Sequence, residues 1–149
     1  MLQVLKRKQA KEILNLINKQ WGADAELDYA FLKRDDGKLF IANKDSFSID
    51  HSKLRVNSLG LYIAEAKGTD IRLSIEGSQL IGQTAKKNIA ELSNEQARSW
   101  LKGEDIQLSG DYSGFVILKH NNDFLGSGKY KEGSILNFVP KTRRLRVSD

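Results

Sequence analysis

The chain has 149 residues, of which 40% are hydrophobic, enough for the core of one domain or two small ones and too many for a disordered chain. It contains no cysteine, which excludes disulfides, thiolate-ligated zinc, iron–sulfur clusters and a thiolate nucleophile, and fits a reducing compartment. His51 and His120 are its two histidines and lie far apart in sequence, so no metal site and no cofactor are expected. Lys and Arg number 24 against 19 Asp and Glu, a net charge of +5 that suits a polyanionic partner. No apolar run exceeds four residues, as in Phe115-Val116-Ile117-Leu118, far short of the roughly 20 that a membrane span needs. Lys6, Arg7, Lys8 and Lys11 occupy the place where a secretory signal would be apolar. The expected setting is the cytoplasm, with no membrane partner.

Ala10, Ile13, Leu14, Ile17 and Trp21 recur at helical spacing and Gly22 follows, which predicts a helix over residues 4–20. Strands are predicted over 27–33 and 38–42, joined at Asp35-Asp36-Gly37, a hairpin signal. Two more are read over 54–66 and 71–75, while 77–83 is ambiguous and is read as a short helical turn. The stretch 82–87 marks the best domain boundary. Beyond it a strand over 88–92 leads to Ser93, which caps a helix, with Gln96 three residues on completing a capping box. Ala97, Trp100 and Leu101 form the buried face of that helix and Gly103 ends it. Strands over 104–108, 114–120, 123–128, 135–139 and 144–147 complete the set.

Enzyme motifs fail in turn. Leu125-Gly126-Ser127-Gly128-Lys129 has one residue between its glycines where a phosphate loop needs four, and no helix is predicted after the lysine. Glycines that let a strand bend account for it better. Asp35-Asp36 suits a turn, and Glu104-Asp105 follows a helix end on a solvated edge. Neither histidine supports a Ser–His–Asp arrangement, and both are expected to be exposed.

The basic residues carry more. The stretch 119–146 holds Lys119, Lys129, Lys131, Lys141, Arg143, Arg144 and Arg146 against Asp123 and Glu132, an excess equal to that of the whole chain. Clustered cations beside Tyr130 and Phe138 form the kind of phosphate-plus-stacking surface that RNA uses. A solvated, solubilising edge would have the same composition, and spacing alone does not separate the two.

Four motifs occur in order: Trp100-Leu101-Lys102-Gly103-Glu104-Asp105-Ile106, Gly114-Phe115-Val116-Ile117-Leu118, Phe124-Leu125-Gly126-Ser127-Gly128-Lys129, and Leu136-Asn137-Phe138-Val139-Pro140-Lys141 followed by Arg143-Arg144. This series resembles the RNA-binding C-terminal region of the Sun/Fmu (RsmF-type) rRNA cytosine-C5 methyltransferases. It also resembles the small archaeal proteins made of that region alone, and in layout it is similar to the Nip ribosome-biogenesis family. The match is specific over roughly residues 86–146 and loose over the first 85. The resemblance implies an α+β fold in which a pre-PUA-like α/β unit (1–84) precedes a PUA-like β-barrel (85–149). It places Lys129, Asn137, Lys141, Arg143 and Arg144 on the family's motif positions. Where many PUA domains have a glycine-rich loop between the first strand and the helix, this chain has Glu91-Leu92-Ser93-Asn94, so recognition is expected to rely on side-chain cations.

The expected function is therefore non-catalytic binding of rRNA or tRNA in ribosome biogenesis or RNA modification. A methyltransferase or an assembly factor is a candidate protein partner. No catalytic residue is assigned. The expected RNA-binding set is Lys119, Lys129, Tyr130, Lys131, Asn137, Lys141, Arg143, Arg144 and Arg146. The alternative is a protein–protein adaptor that docks such a methyltransferase or assembly factor.

Overall fold

A computed structural model describes residues 2–44 and 60–145 and shows an α+β chain with two five-stranded sheets. His51, Arg146 and the first part of the strand expected over 54–66 lie outside the described residues. The first sheet is an antiparallel meander of β1 (Leu2–Val4), β2 (Ala30–Arg34), β3 (Lys38–Ala42), β4 (Leu61–Lys67) and β5 (Asp70–Leu73), paired in that order. Helix α1 (Arg7–Trp21) leaves β1 and buries Ile17 and Trp21. Its first turn is closed by Gln9 Oε1, which accepts from the Lys6 amide at 3.0 Å. Gly22, in the left-handed region at φ 57°, ends it as its sequence position predicts.

The helix begins three residues later than expected because Leu2–Val4 pairs instead with β2, Val4 opposite Leu32. Three residues are too few for a period of two to be told from one of 3.6. The Asp35-Asp36-Gly37 turn forms as read, with Gly37 at φ 92°. Arg34 grips Asp36 through Nε and Nη2, at 3.1 and 2.8 Å, and this hydrogen bonding lowers the Asp36 carboxyl to about 2. The ambiguous stretch is a helix, α2 (Ile75–Ile81), capped by Ser74, whose Oγ accepts from the Gly77 amide at 3.0 Å. Gly77 has a steric reason: a Cβ there would fall on the carbonyl oxygen of Ile63 in β4.

The second sheet comprises β6 (Ile89–Glu91), β7 (Ile106–Gln107), β8 (Phe115–His120), β9 (Asp123–Lys131) and β10 (Ser134–Leu136), ordered β6-β8-β9-β10-β7. Only β6 with β8 is parallel; the other pairs are antiparallel. Where a barrel was expected the ladder is open, because no pairing joins β6 to β7 among the described residues. Helix α3 (Asn94–Leu101) connects β6 to β7 and carries the Ser93/Gln96 capping box, with Gln96 N to Ser93 Oγ at 3.2 Å. No strand forms at 144–145; the segment before it is a single 3-10 turn, Lys141–Arg143. Gly126-Ser127-Gly128 lies inside β9, which removes the phosphate-loop reading. Among the described residues no helix is long and apolar enough to cross a membrane.

Strand β8 explains the apolar run in its sequence. Phe115 and Ile117 enter a cluster with Ile17, Trp21, Leu39 and Ile63, while Val116 and Leu118 enter a second with Trp100, Ile106 and Ile135. Alternation sends successive side chains to opposite faces, so four consecutive apolar residues serve two cores. Polar ties cross the same junction. Trp21 Nε1 donates to Phe115 O at 3.1 Å, and Gly126 N donates to Ser78 Oγ at 2.9 Å. Ser127 Oγ both accepts from Leu73 N and donates to Leu73 O, each at 2.9 Å. Replacing Ser127 by Ala strips both backbone groups of Leu73 of that buried partner, a loss of about 2 kcal/mol. Urea unfolding of this variant should show a lower midpoint at unchanged slope.

Candidate nucleic-acid interface

The segment after β10 is built around Asn137. Its Nδ2 donates to Trp100 O at 2.8 Å and to Glu104 O at 2.9 Å, and its Oδ1 accepts from Val139 N at 2.8 Å. Its own amide donates to Asp105 Oδ1 at 2.8 Å. These bonds pin the chain to the end of α3, bury Val139 and turn Phe138 outward, where it is 38% exposed. Arg144 Nε donates to Val139 O at 2.9 Å, and its guanidinium lies against Gly103, whose φ is 97°. Leu145 N reaches Leu101 O at 2.8 Å.

Facing this segment across a groove are outward positions of the first sheet. In β5, buried Ile71 and Leu73 alternate with Asp70 and Arg72. The Arg72 guanidinium stands 4.5 Å from the Phe138 ring centroid, and its Nη2 is 3.5 Å from Glu65 Oε1. Glu65 is buried beneath it and also pairs with Lys67. Lys38 Nζ stands 5.5 Å from the centre of the Tyr62 ring. From the other wall, Arg143 Nη1 reaches Glu76 Oε2 at 2.9 Å. Lys38, Tyr62, Arg72, Phe138 and Arg143 thus line one cavity of about 300 Å³ at the junction of the two sheets.

The sequence-derived residues divide between this groove and other places. Arg143 is in it. Lys129 adjoins it: its Nζ lies 5.0 Å from the Phe115 ring and 3.5 Å from Asp70 Oδ2, and Phe115 in turn meets Phe138 edge-on at 6.0 Å. Lys131, at the exposed end of β9, shares the face of Lys129, and Lys141 is exposed on the 3-10 turn. Tyr130 points the other way, packing on the second core and against Tyr112 at 5.5 Å. Lys119 lies four residues along β8 from Phe115, roughly 13 Å at strand rise, with its Nζ 5.6 Å from the Phe124 ring. Asn137 and Arg144 commit their side chains to the backbone. His120, expected exposed, is half-buried with Nδ1 3.0 Å from Leu92 O. Lys38, Tyr62 and Arg72 escaped the sequence reading because they lie outside the basic stretch 119–146; only the alternation of their strands marks them as outward-facing.

Fold and groove together define the class: an α+β protein of two sheets with a cationic, aromatic cleft at their junction. Residues 87–145 match the family described as the methyltransferase RsmF PUA domain, and this region of the chain is the PUA region of that RsmF-type family. The resemblance of the ordered motifs to the C-terminal region of the RsmF-type methyltransferases is thereby shown. Among similar proteins, the ribosomal RNA small subunit methyltransferase F of Vibrio cholerae is 28% identical over 136 residues, covering 90% of this chain and 28% of its own length. The protein of the same name from Aeromonas hydrophila is 30% identical over 125 residues, 78% of this chain and 26% of its own length. The similarity therefore reaches well into the first sheet, where the motifs were loose. The chain spans about a quarter of the length of these relatives.

Two cations of the C-terminal segment should behave differently on mutation. Arg144→Ala removes a charged hydrogen bond and the packing on Gly103, and should lower stability by about 1–2 kcal/mol. Lys141→Ala should stay within about 0.5 kcal/mol of the parent. Thermal melting of the two variants side by side checks the contrast.

Proposed function

We propose that the chain is a non-catalytic RNA-binding protein of the PUA type, acting on rRNA or tRNA in the cytoplasm, in ribosome biogenesis or RNA modification. The observation that carries this reading is the groove in which Lys38, Arg72 and Arg143 surround Phe138 and Tyr62, adjoining a segment of the RsmF PUA family. The relatives' name specifies small-subunit ribosomal RNA, which makes fragments of that RNA the first ligands to try. Exposed cations bind phosphates and release counterions, while aromatic faces accept unstacked bases. The non-catalytic part of the reading rests on chemistry. Cytosine-C5 transfer proceeds through a cysteine adduct to the ring, and this sequence has no cysteine. A methyltransferase or an assembly factor remains the natural protein partner for such a module.

Titration of fluorescent small-subunit rRNA fragments at several salt concentrations tests the reading. Affinity should fall linearly on a log–log plot, and the double variant Lys141→Ala/Arg143→Ala should bind more weakly with a slope reduced by up to about two units. Unchanged affinity and slope in a folded double variant would return this segment to a solvated edge and put the adaptor function first. Methyl transfer to RNA by the purified chain would overturn the non-catalytic assignment.

A further inference from the structure

We infer that the groove at the junction of the two sheets is a pocket for one unpaired nucleotide of the bound RNA, accepted without regard to its base. The inference rests on the RNA-binding reading above and goes beyond it, to the class of RNA feature recognised. Three properties of the groove carry it. First, it is concave, with a volume of about 300 Å³, at the lower end of small-ligand pockets and matched to a single nucleotide rather than a duplex. Second, its rim and floor differ in chemistry. Lys38, Arg72 and Arg143 come from three separate elements to one rim, against Glu76 in the lining and Glu65 buried beneath Arg72, while Ile75, Leu125 and Val139 contribute apolar floor. A planar, weakly polar group carrying an anion satisfies both; a base with its phosphate is such a group.

Third, the uncharged polar side chains of Ser74, Ser127 and Trp100 in the groove are already engaged inside the protein. Ser74 Oγ donates to Tyr62 O at 2.8 Å and accepts from Gly77 N at 3.0 Å. Ser127 is occupied at both lone pair and proton by Leu73, and Trp100 Nε1 donates to Leu125 O at 2.8 Å. With their protons committed, these groups donate no hydrogen bond to a base edge. Stacking and apolar contact remain, and these tolerate every base because each has a π face. Phe138, 38% exposed at the mouth, is the stacking residue, and its Arg72 partner at 4.5 Å has the position to take the attached phosphate.

Glu76 then acts as a stand-in for that phosphate. In the free protein it holds Arg143 at 2.9 Å; the incoming phosphate takes over the guanidinium and releases the carboxylate. Removing the carboxylate should therefore strengthen binding, an effect that misfolding cannot imitate.

The test measures binding of the full chain by fluorescence anisotropy to an RNA hairpin with one bulged nucleotide, to the same hairpin fully paired, and to free AMP and CMP. The bulged hairpin should bind about ten-fold more tightly than the paired one, by the worth of one stacked base, with A, C, G and U bulges within about three-fold of each other. Phe138→Leu should abolish the difference between hairpins, bringing the bulged one down to the affinity of the paired one. Glu76→Gln should tighten the bulged complex about three-fold. Equal binding of bulged and paired hairpins by the parent protein would overturn the pocket and leave the RNA-binding function standing. Strong preference for one bulged base would overturn the base-blind mode. Failure to bind either hairpin would overturn both inferences, and tight binding of AMP or CMP without RNA would reassign the pocket to a free nucleotide.

Discussion

Burial of β8 on both faces is the constraint on which the rest of the structure depends. Phe115 and Ile117 belong to one core and Val116 and Leu118 to the other, and each is 5% exposed or less. Fully burying side chains of this size stabilises by about 1.5–3 kcal/mol apiece. Separating the sheets would expose Phe115 and Ile117 and open the first core, whereas the buried residues of the second core all lie between 90 and 139. The groove follows from this geometry. Because β8 and β9 lie against β5 and α2, the outward positions of the first sheet are brought opposite the segment after β10. Arg72 meets Phe138 only for that reason.

Electrostatics reinforce the same junction. Lys129 and Arg143, from the second sheet and the segment beyond it, find their acids in Asp70 and Glu76 of the preceding half. Such half-exposed pairs contribute little to stability, because water screens them. Their weight falls on recognition: they hold Lys129 over the Phe115 ring and Arg143 at the wall of the groove, so that fewer rotamers must be frozen when an anion arrives. Arg144 and Asn137 do the opposite job. Both sit in the basic, motif-bearing segment, yet their polar atoms face the backbone and fix the shape on which Phe138 and Arg143 are presented.

Much of this fold was legible from local signals. The stripe from Ala10 to Trp21, the Asp-Gly hairpin and the Ser93/Gln96 capping box each write their geometry within a few residues, and each formed where the sequence placed it. What was not legible depends on distant partners. Leu2–Val4 becomes a strand because β2 offers an edge, and the four apolar residues of β8 show no period because two faces are buried at once. Among the described residues the second sheet is an open ladder, because β6 and β7 do not pair, and no single segment encodes that. The same limit applies to the site. Counting cations found Arg143 and Lys129 but could not separate them from Arg144, and it passed over Lys38, Tyr62 and Arg72, which join the groove only through tertiary structure.

The open ladder also bears on how copies of this chain behave in a crowded solution. An unclosed sheet leaves backbone donors and acceptors along its outer strands, the usual template for pairing between molecules. Here those strands are β6, three residues long, and β7, with two. Lys86 and Lys87 stand just before the first, Glu104 and Asp105 just before the second, and all four are exposed. Among the described residues, a rim so brief and so charged offers a neighbour almost no length of backbone to zip against.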